Sequence, residues 1–236
     1  MLITSIFSSF LIGVMIISQP ISIESTTIRT SIFGVIFCFI CIFGILAALF
    51  PKQCSSTFHG KKYTYVRQDP SIKSKKNQFK KSSTIFNMKI AHGHHIMCEE
   101  FSHHELQILD KTFCIGCYGL LSGAILSLSG MISYIFRLWL INEYTFNFFL
   151  WVGIIGVNLG LIKPLLTKLK QRMIRYLLEV LFVFGVFSLL VTIDVALKNL
   201  MVDLYLVLLS LYWLWTKITV TRWDHDKTCR VCGYKC

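Results

Sequence analysis

Potential metal ligands crowd one stretch of this sequence, between residues 91 and 117. They are His92, His94, His95, Cys98, His103, His104, Cys114 and Cys117. Zn²⁺ in tetrahedral sites takes thiolate and imidazole ligands, and a C-x2-C pair lets two sulfurs from one turn reach the same ion. The H-x2-C pair upstream is compatible with two further ligands from a second turn. We therefore predict a zinc site formed by His94 or His95 together with Cys98, Cys114 and Cys117.

The end of the chain carries a second cluster with the pattern H-x3-C-x2-C-x3-C. Its members are His225, Cys229, Cys232 and Cys236. Either this tail holds its own ion, giving two zinc ions per chain, or the loop and the tail share ions. Four ligands in each segment favour two sites. An iron–sulfur cluster would use the same thiolates and is the less favoured alternative.

The stretch HHIMCEEFSHHELQILDKTFCIGCYGLLSGA resembles a family of uncharacterised archaeal polytopic membrane proteins. Their pattern is HH-x2-C, a following His, and then G-K-x-[FY]-C-x-[GR]-C-x-G ahead of a Gly-rich helix. A more distant similarity is to bacterial membrane proteins of unknown function with C-x-R-C-x-G at a helix start. Asp110 departs from the archaeal pattern, since a Gly precedes the Lys there. The resemblance implies a metal-binding motif and a helical membrane fold, and it implies no activity. The matching positions are His94, His95, Cys98, His103, Cys114, Cys117 and Gly119.

Long apolar runs must position these ligands. The chain is 54 % hydrophobic with a mean hydropathy of +0.62 and only 15 % charged residues, which is typical of a membrane protein. A spanning helix needs about 20 mostly apolar residues. We predict an all-α bundle of about six transmembrane helices with a small cytoplasmic, zinc-knuckle-like Cys/His assembly. The predicted spans are Leu2–Ile17, Thr30–Phe50, Cys114–Phe136, Phe146–Ile162, Tyr176–Leu197 and Met201–Val220.

Basic residues orient this bundle. Of the 24 Lys and Arg, 21 fall in the loop 51–113, the connection 163–175 and the tail from Thr216. With six spans, these three segments share one side, and the positive-inside rule makes that side cytoplasmic. Both termini and the 51–113 loop are therefore predicted to lie in the cytoplasm of a multi-pass cell-membrane protein. The first helix lacks a basic start and a good cleavage site, so we expect an uncleaved anchor rather than a signal peptide.

The predicted organisation has five parts. Residues 1–50 form two transmembrane helices, 51–90 a basic flexible cytoplasmic linker, 91–117 the His/Cys motif, 114–220 four transmembrane helices and 221–236 a Cys-rich tail. Basic residues of the linker, over 61–89, would face anionic lipid headgroups, and nucleic acid is the less favoured partner.

Features inside the spans predict packing rather than chemistry. The small-x3-small pairs Gly119/Gly123 and Gly156/Gly160 predict close helix contacts. Glu179 and Asp194 lie near the ends of one span, where we expect their carboxylates to reach the interface. Cys38 and Cys41 are interpreted as packing residues.

We expect a non-enzymatic membrane protein whose metal fixes the cytoplasmic loop and tail as a scaffold or a docking surface for a protein partner. A metal-handling or metal-sensing protein is the first alternative. A membrane thiol-redox or electron-transfer protein is the second.

Overall fold

A computed structural model describes residues 1–17, 27–49, 83–85, 88–90, 105–108, 111–138, 141–163 and 171–231. Six helices and two short β-hairpins make up these described residues. The elements are α1 (Leu2–Ile17), α2 (Thr27–Leu49), β1 (Ser83–Ile85), β2 (Met88–Ile90), β3 (Glu105–Ile108), β4 (Lys111–Cys114), α3 (Ile115–Ile135), α4 (Glu143–Ile162), α5 (Arg172–Leu197) and α6 (Leu200–Val231). The predicted helical bundle is confirmed, and the antiparallel pairs β1–β2 and β3–β4 are additions to it.

Five of these helices are long and apolar enough to cross a bilayer, which makes the chain a multi-pass membrane protein. They are Arg29–Leu49, Ile115–Ile135, Glu143–Ile162, Arg172–Leu197 and Leu200–Asp224. Helix α1 has 16 residues, which is about 24 Å of helix against a hydrocarbon core of about 30 Å. The sixth span and the orientation of the bundle therefore stay predictions.

Large apolar side chains face outward around the bundle. Phe43 is 68 % exposed, Leu208 65 % and Trp215 63 %. In water such a surface would promote aggregation, whereas in a bilayer it is the surface that lipid covers. The outward face thus supports the membrane assignment independently of helix length.

Helix α5 lies at the centre of the bundle. In its most apolar window 67 % of the residues are buried, against 22–39 % in the other four spans. Glycines on both sides allow its neighbours to approach closely: a Cβ built on Gly123 of α3 would lie 3.1 Å from the Val180 carbonyl oxygen, and one on Gly156 of α4 would lie 2.6 Å from that of Leu181. The close packing predicted from the small-x3-small pairs is confirmed.

Helix α1 is attached to the bundle by a polar stripe. The Ser5 and Thr216 hydroxyls lie 3.0 Å apart, Ser9 donates to Asn158 Oδ1 at 2.9 Å, and the indole of Trp213 donates to Ser8. Interhelical hydrogen bonds of this kind hold membrane helices where the hydrophobic effect gives no driving force. The stripe fixes α1 against α4 and α6.

Candidate functional site

The C-x2-C pair lies where a β-hairpin runs into a membrane helix. Cys114 ends β4 and, with φ −71° and ψ 120°, is the N-cap of α3, while Cys117 sits in the first turn of that helix. Both are reduced thiols, partly buried and within hydrogen-bonding reach of each other. Gly116 between them leaves room, because a Cβ built there would lie no closer than 3.8 Å to the Cys114 sulfur. The structure thus brings two predicted ligands together.

The hairpin formed by β3 and β4 leads directly into the Cys114/Cys117 pair. Glu105 pairs with Cys114 across β3 and β4, so the first residue of β3 lies directly opposite the first cysteine of the pair. The predicted ligand His103 lies outside the described residues.

The other predicted ligands are described in part or not at all. His94, His95, Cys98, Cys232 and Cys236 lie outside the described residues. His225 and Cys229 have helical backbone in α6, which continues to Val231 through a region predicted as a tail. Among the side chains that the structure does describe, no group of three or more His, Cys, Asp or Glu is placed to hold a metal ion.

The start of α3 and the far end of α6 lie at the same end of the bundle. Lys217 of α6 pairs with Glu179 of α5, and Glu179 lies close enough to Cys117 for its charge to act on that thiol. Immediately before His225, Asp224 interacts electrostatically with Arg175 at the beginning of α5. The thiol pair at the start of α3 and the described part of α6 up to Asp224 therefore lie at the same end of the bundle.

A triad of ions formed by buried Glu179, buried Lys217 and partly buried Lys163 lies near the thiol pair, and we call it the Glu179 cluster. One Glu179 oxygen accepts a hydrogen bond from the Lys163 ammonium, and the other lies 2.9 Å from Lys217 Nζ. The Lys217 ammonium also donates to the Gly160 carbonyl at 2.9 Å and lies 4.3 Å from the centroid of the Phe182 ring. Two ammonium groups thus surround one carboxylate, joining α4, α5 and α6.

Gly119 couples this cluster to the thiol pair. A Cβ built on Gly119 would collide with the Glu179 Cβ and would lie 3.0 Å from the Tyr176 carbonyl oxygen. Only glycine permits so close an approach of α3 to α5 here. A shift of the first turn of α3, which carries Cys117, would therefore be transmitted directly to Glu179.

A second buried cluster, the Asp194 cluster, lies at the opposite end of α5. Arg29 Nη2 lies 2.7 Å from Asp194 Oδ1 and donates to the Asp194 carbonyl at 2.9 Å, and Arg29 Nε lies 3.6 Å from Asp203 Oδ2. Thr30 donates to Asp194 Oδ2 at 3.0 Å, and the Tyr134 hydroxyl donates to the same oxygen. Two carboxylates thus surround one guanidinium, joining α2, α3, α5 and α6.

A short helical hairpin builds this second cluster. Lys198 ends α5 in the left-handed conformation, with φ 48°, and the Asn199 side chain accepts a hydrogen bond from the Met201 amide at 2.9 Å. Asp194 and Asp203 lie four residues to either side of this two-residue turn, so the reversal of the chain places one carboxylate opposite the other.

The sequence-based expectation for these acidic residues is corrected by the structure. The sequence predicts that Glu179 and Asp194 reach the interface, yet they are 3 % and 0 % exposed and pair with buried cations inside the bundle. The signal that identifies them is a charged residue within an otherwise apolar span together with an opposite charge at the same depth on another helix.

Comparisons with protein family models, with curated proteins and with solved structures found no match to this chain. The resemblance to the archaeal family therefore stays a prediction from the motif.

Proposed function

We propose that this multi-pass membrane protein carries a structural zinc ion at the N-terminus of α3, which fixes the loop and the tail as a docking surface on the cytoplasmic side. Cys114 and Cys117 would supply two thiolates, and His94, His95, Cys98 and His103 are the candidates for the remaining ligands. The observation that carries the proposal is the contact of the two thiols at the junction of β4 and α3.

The surroundings of the thiol pair support a structural role. Gly119 and Glu179 connect the first turn of α3 to α5, so an ion bound there would fix the loop relative to the membrane helices. The end of α6 approaches the same face, which would let the ligands His225, Cys229, Cys232 and Cys236 hold a second ion or share the first. Binding energy at such sites is folding energy.

The same contact favours one other function, thiol redox. Two thiols within hydrogen-bonding reach at the start of a helix resemble the pair of a C-x2-C oxidoreductase, whose N-terminal thiolate is stabilised there. A redox pair would cycle between dithiol and disulfide without needing metal, whereas a structural pair would bind metal and resist oxidation.

The experiment is elemental analysis of the full chain purified in detergent, comparing wild type with Cys114→Ser/Cys117→Ser. We expect one or two zinc per chain in wild type, and at least one fewer in the variant together with a lower folded yield. The matched control is Cys38→Ser/Cys41→Ser, which removes two thiols from α2 and should keep the zinc. A third variant, Cys229→Ser/Cys232→Ser, would lose a further ion if the tail has its own site.

Three outcomes would contradict the proposal. Unchanged zinc in Cys114→Ser/Cys117→Ser would exclude this pair as ligands. Iron with sulfide would indicate a cluster and electron transfer. Metal-free protein with a Cys114–Cys117 disulfide that forms and reduces reversibly would indicate the redox function.

A further inference from the structure

Among the described residues, the Asp194 cluster has two carboxylates and one cation. Asp194 and Asp203 contribute two carboxylates and Arg29 contributes one cation, and all three are buried inside the bundle. An uncompensated charge in a medium of low dielectric constant is costly, and a chain normally removes it by binding a proton or a counter-ion. One more cation would therefore stabilise the cluster.

Asp203 is where this charge is missing. The residue is 1 % exposed, and neither of its side-chain oxygens accepts a hydrogen bond from the described residues. Its nearest cation is Arg29 Nε, at 3.6 Å, beyond the length of a charge-assisted hydrogen bond. The Asp194 carboxyl, by contrast, is within hydrogen-bonding reach of Asp203. Two carboxyl groups form a hydrogen bond with each other only if one of them holds a proton.

The neighbours of the pair favour a proton over a metal ion. Arg29 Nη2 lies 2.7 Å from Asp194 Oδ1, so a guanidinium already occupies one side of the two carboxyl groups. Its positive charge would repel a metal ion bound there. Thr30 and Tyr134 both donate to Asp194 Oδ2, which engages the other oxygen of that carboxylate. A proton, unlike a metal ion, requires no coordination space beyond two neighbouring carboxyl oxygens.

We propose that Asp203 binds one exchangeable proton, which it donates in a hydrogen bond to Asp194, so that this end of the bundle is a proton-binding site. The proton comes from solvent, converts one carboxylate to a carboxylic acid and leaves the cluster neutral. Among the described residues, the titratable and charged groups that face the two carboxyl groups are Arg29 from α2 and Tyr134 from α3, and Lys198 lies in the turn that joins α5 to α6.

Loss of this proton would move Asp203. Once ionised, the two carboxylates repel each other, and Arg29 retains two buried donor atoms, Nε and Nη1, that make no hydrogen bond to the described residues. The freed Asp203 carboxylate would turn toward this guanidinium, because a charge-assisted hydrogen bond is stronger than a neutral one. Proton exchange would thus alter the packing of α6 against α2 and α5.

The test is infrared difference spectroscopy of the full chain in lipid nanodiscs as the pH is raised from mildly acidic to alkaline. We expect wild type to lose the carbonyl band of one protonated carboxylic acid, and Asp203→Asn to lack that band. The matched control is Glu143→Gln, which removes an exposed carboxylate from the start of α4 and should keep the band.

A stability measurement accompanies the spectrum. The side-chain amide introduced by Asp203→Asn would donate to Asp194 as the acid does, so this variant should fold and should not lose stability as the pH rises. Wild type should lose stability over the same range, because its folded state holds a proton that the unfolded chain releases.

Each other result would overturn the inference. Persistence of the band in Asp203→Asn would place the acid elsewhere. Failure of Asp203→Asn to fold would show that Arg29 requires an ionised Asp203. A band absent from wild type, with an unfolding midpoint that rises with sodium or potassium at constant pH, would make the site a metal-cation site.

Discussion

The two ends of α5 solve the same problem with opposite charges. Glu179 and Asp194 lie fifteen residues apart on this helix, about 22 Å along its axis, and each is buried against helices on several sides. At the Glu179 end two ammonium groups surround one carboxylate, whereas at the Asp194 end two carboxylates surround one guanidinium. One cluster has a surplus positive charge and the other a surplus negative charge.

The two clusters differ in how closely their carboxylates are paired with cations. Both oxygens of Glu179 have an ammonium beside them, and Lys217 is further held by the Gly160 carbonyl and the Phe182 ring. The cation beside Asp203, by contrast, is Arg29 Nε at 3.6 Å. Fully paired buried ions stabilise one arrangement, whereas an incompletely paired group is free to change its protonation or its partner. We therefore expect the Glu179 end to be structural and the Asp194 end to be responsive.

The largest difference in stability between the two ends should appear when one carboxylate at each end is replaced by an amide. Glu179→Gln leaves Lys163 and Lys217 without a carboxylate and should lower the free energy of unfolding by about 3–5 kcal/mol, because it leaves buried charge uncompensated. Asp203→Asn should change it by no more than about 1 kcal/mol, because the amide can donate to Asp194 the hydrogen bond that we propose for the protonated acid. Tryptophan fluorescence during unfolding in mixed detergent micelles measures both. Equal losses in the two variants would mean that the clusters do not differ in kind.

A smaller effect should follow from separating α3 from α5 at the Glu179 end. Gly119→Ala places a methyl group against Glu179 and should cost about 1–3 kcal/mol through overpacking, while weakening metal retention at Cys117. Gly44 in α2 is the matched control, since a Cβ there meets no atom of the described residues within 4 Å. Gly44→Ala should leave stability unchanged or slightly higher. A harmless Gly119→Ala would show that the approach of α3 to α5 is not tight.

Some of these features are predictable from the sequence and others are not, because only some are encoded by local patterns. Apolar runs of about 20 residues identify a membrane helix regardless of its neighbours, so α2 to α6 were predictable. The small-x3-small glycine pairs are local patterns that predict close helix packing, and the contacts of Gly123 and Gly156 confirm this packing. The pairing of Arg29 with Asp194 joins residues 165 positions apart, and no local pattern encodes it. Nor does spacing alone reveal that β4 ends at Cys114, because the hairpin forms through its register with Glu105.

The smallest effect should come from removing the surplus charge at the Glu179 end. Lys163→Met leaves Glu179 paired with Lys217 and makes the cluster neutral, and replacing a buried charge by an apolar group of similar size is often neutral or stabilising. We expect a change within about 1 kcal/mol for Lys163→Met, in parallel with Asp203→Asn. Lys217→Met also removes the hydrogen bond to Gly160 and the contact with Phe182, so it should cost about 2 kcal/mol more. The same fluorescence assay compares the two lysine variants. If Lys163→Met were the more damaging, the surplus charge itself would be needed, most simply to balance thiolates at Cys114 and Cys117.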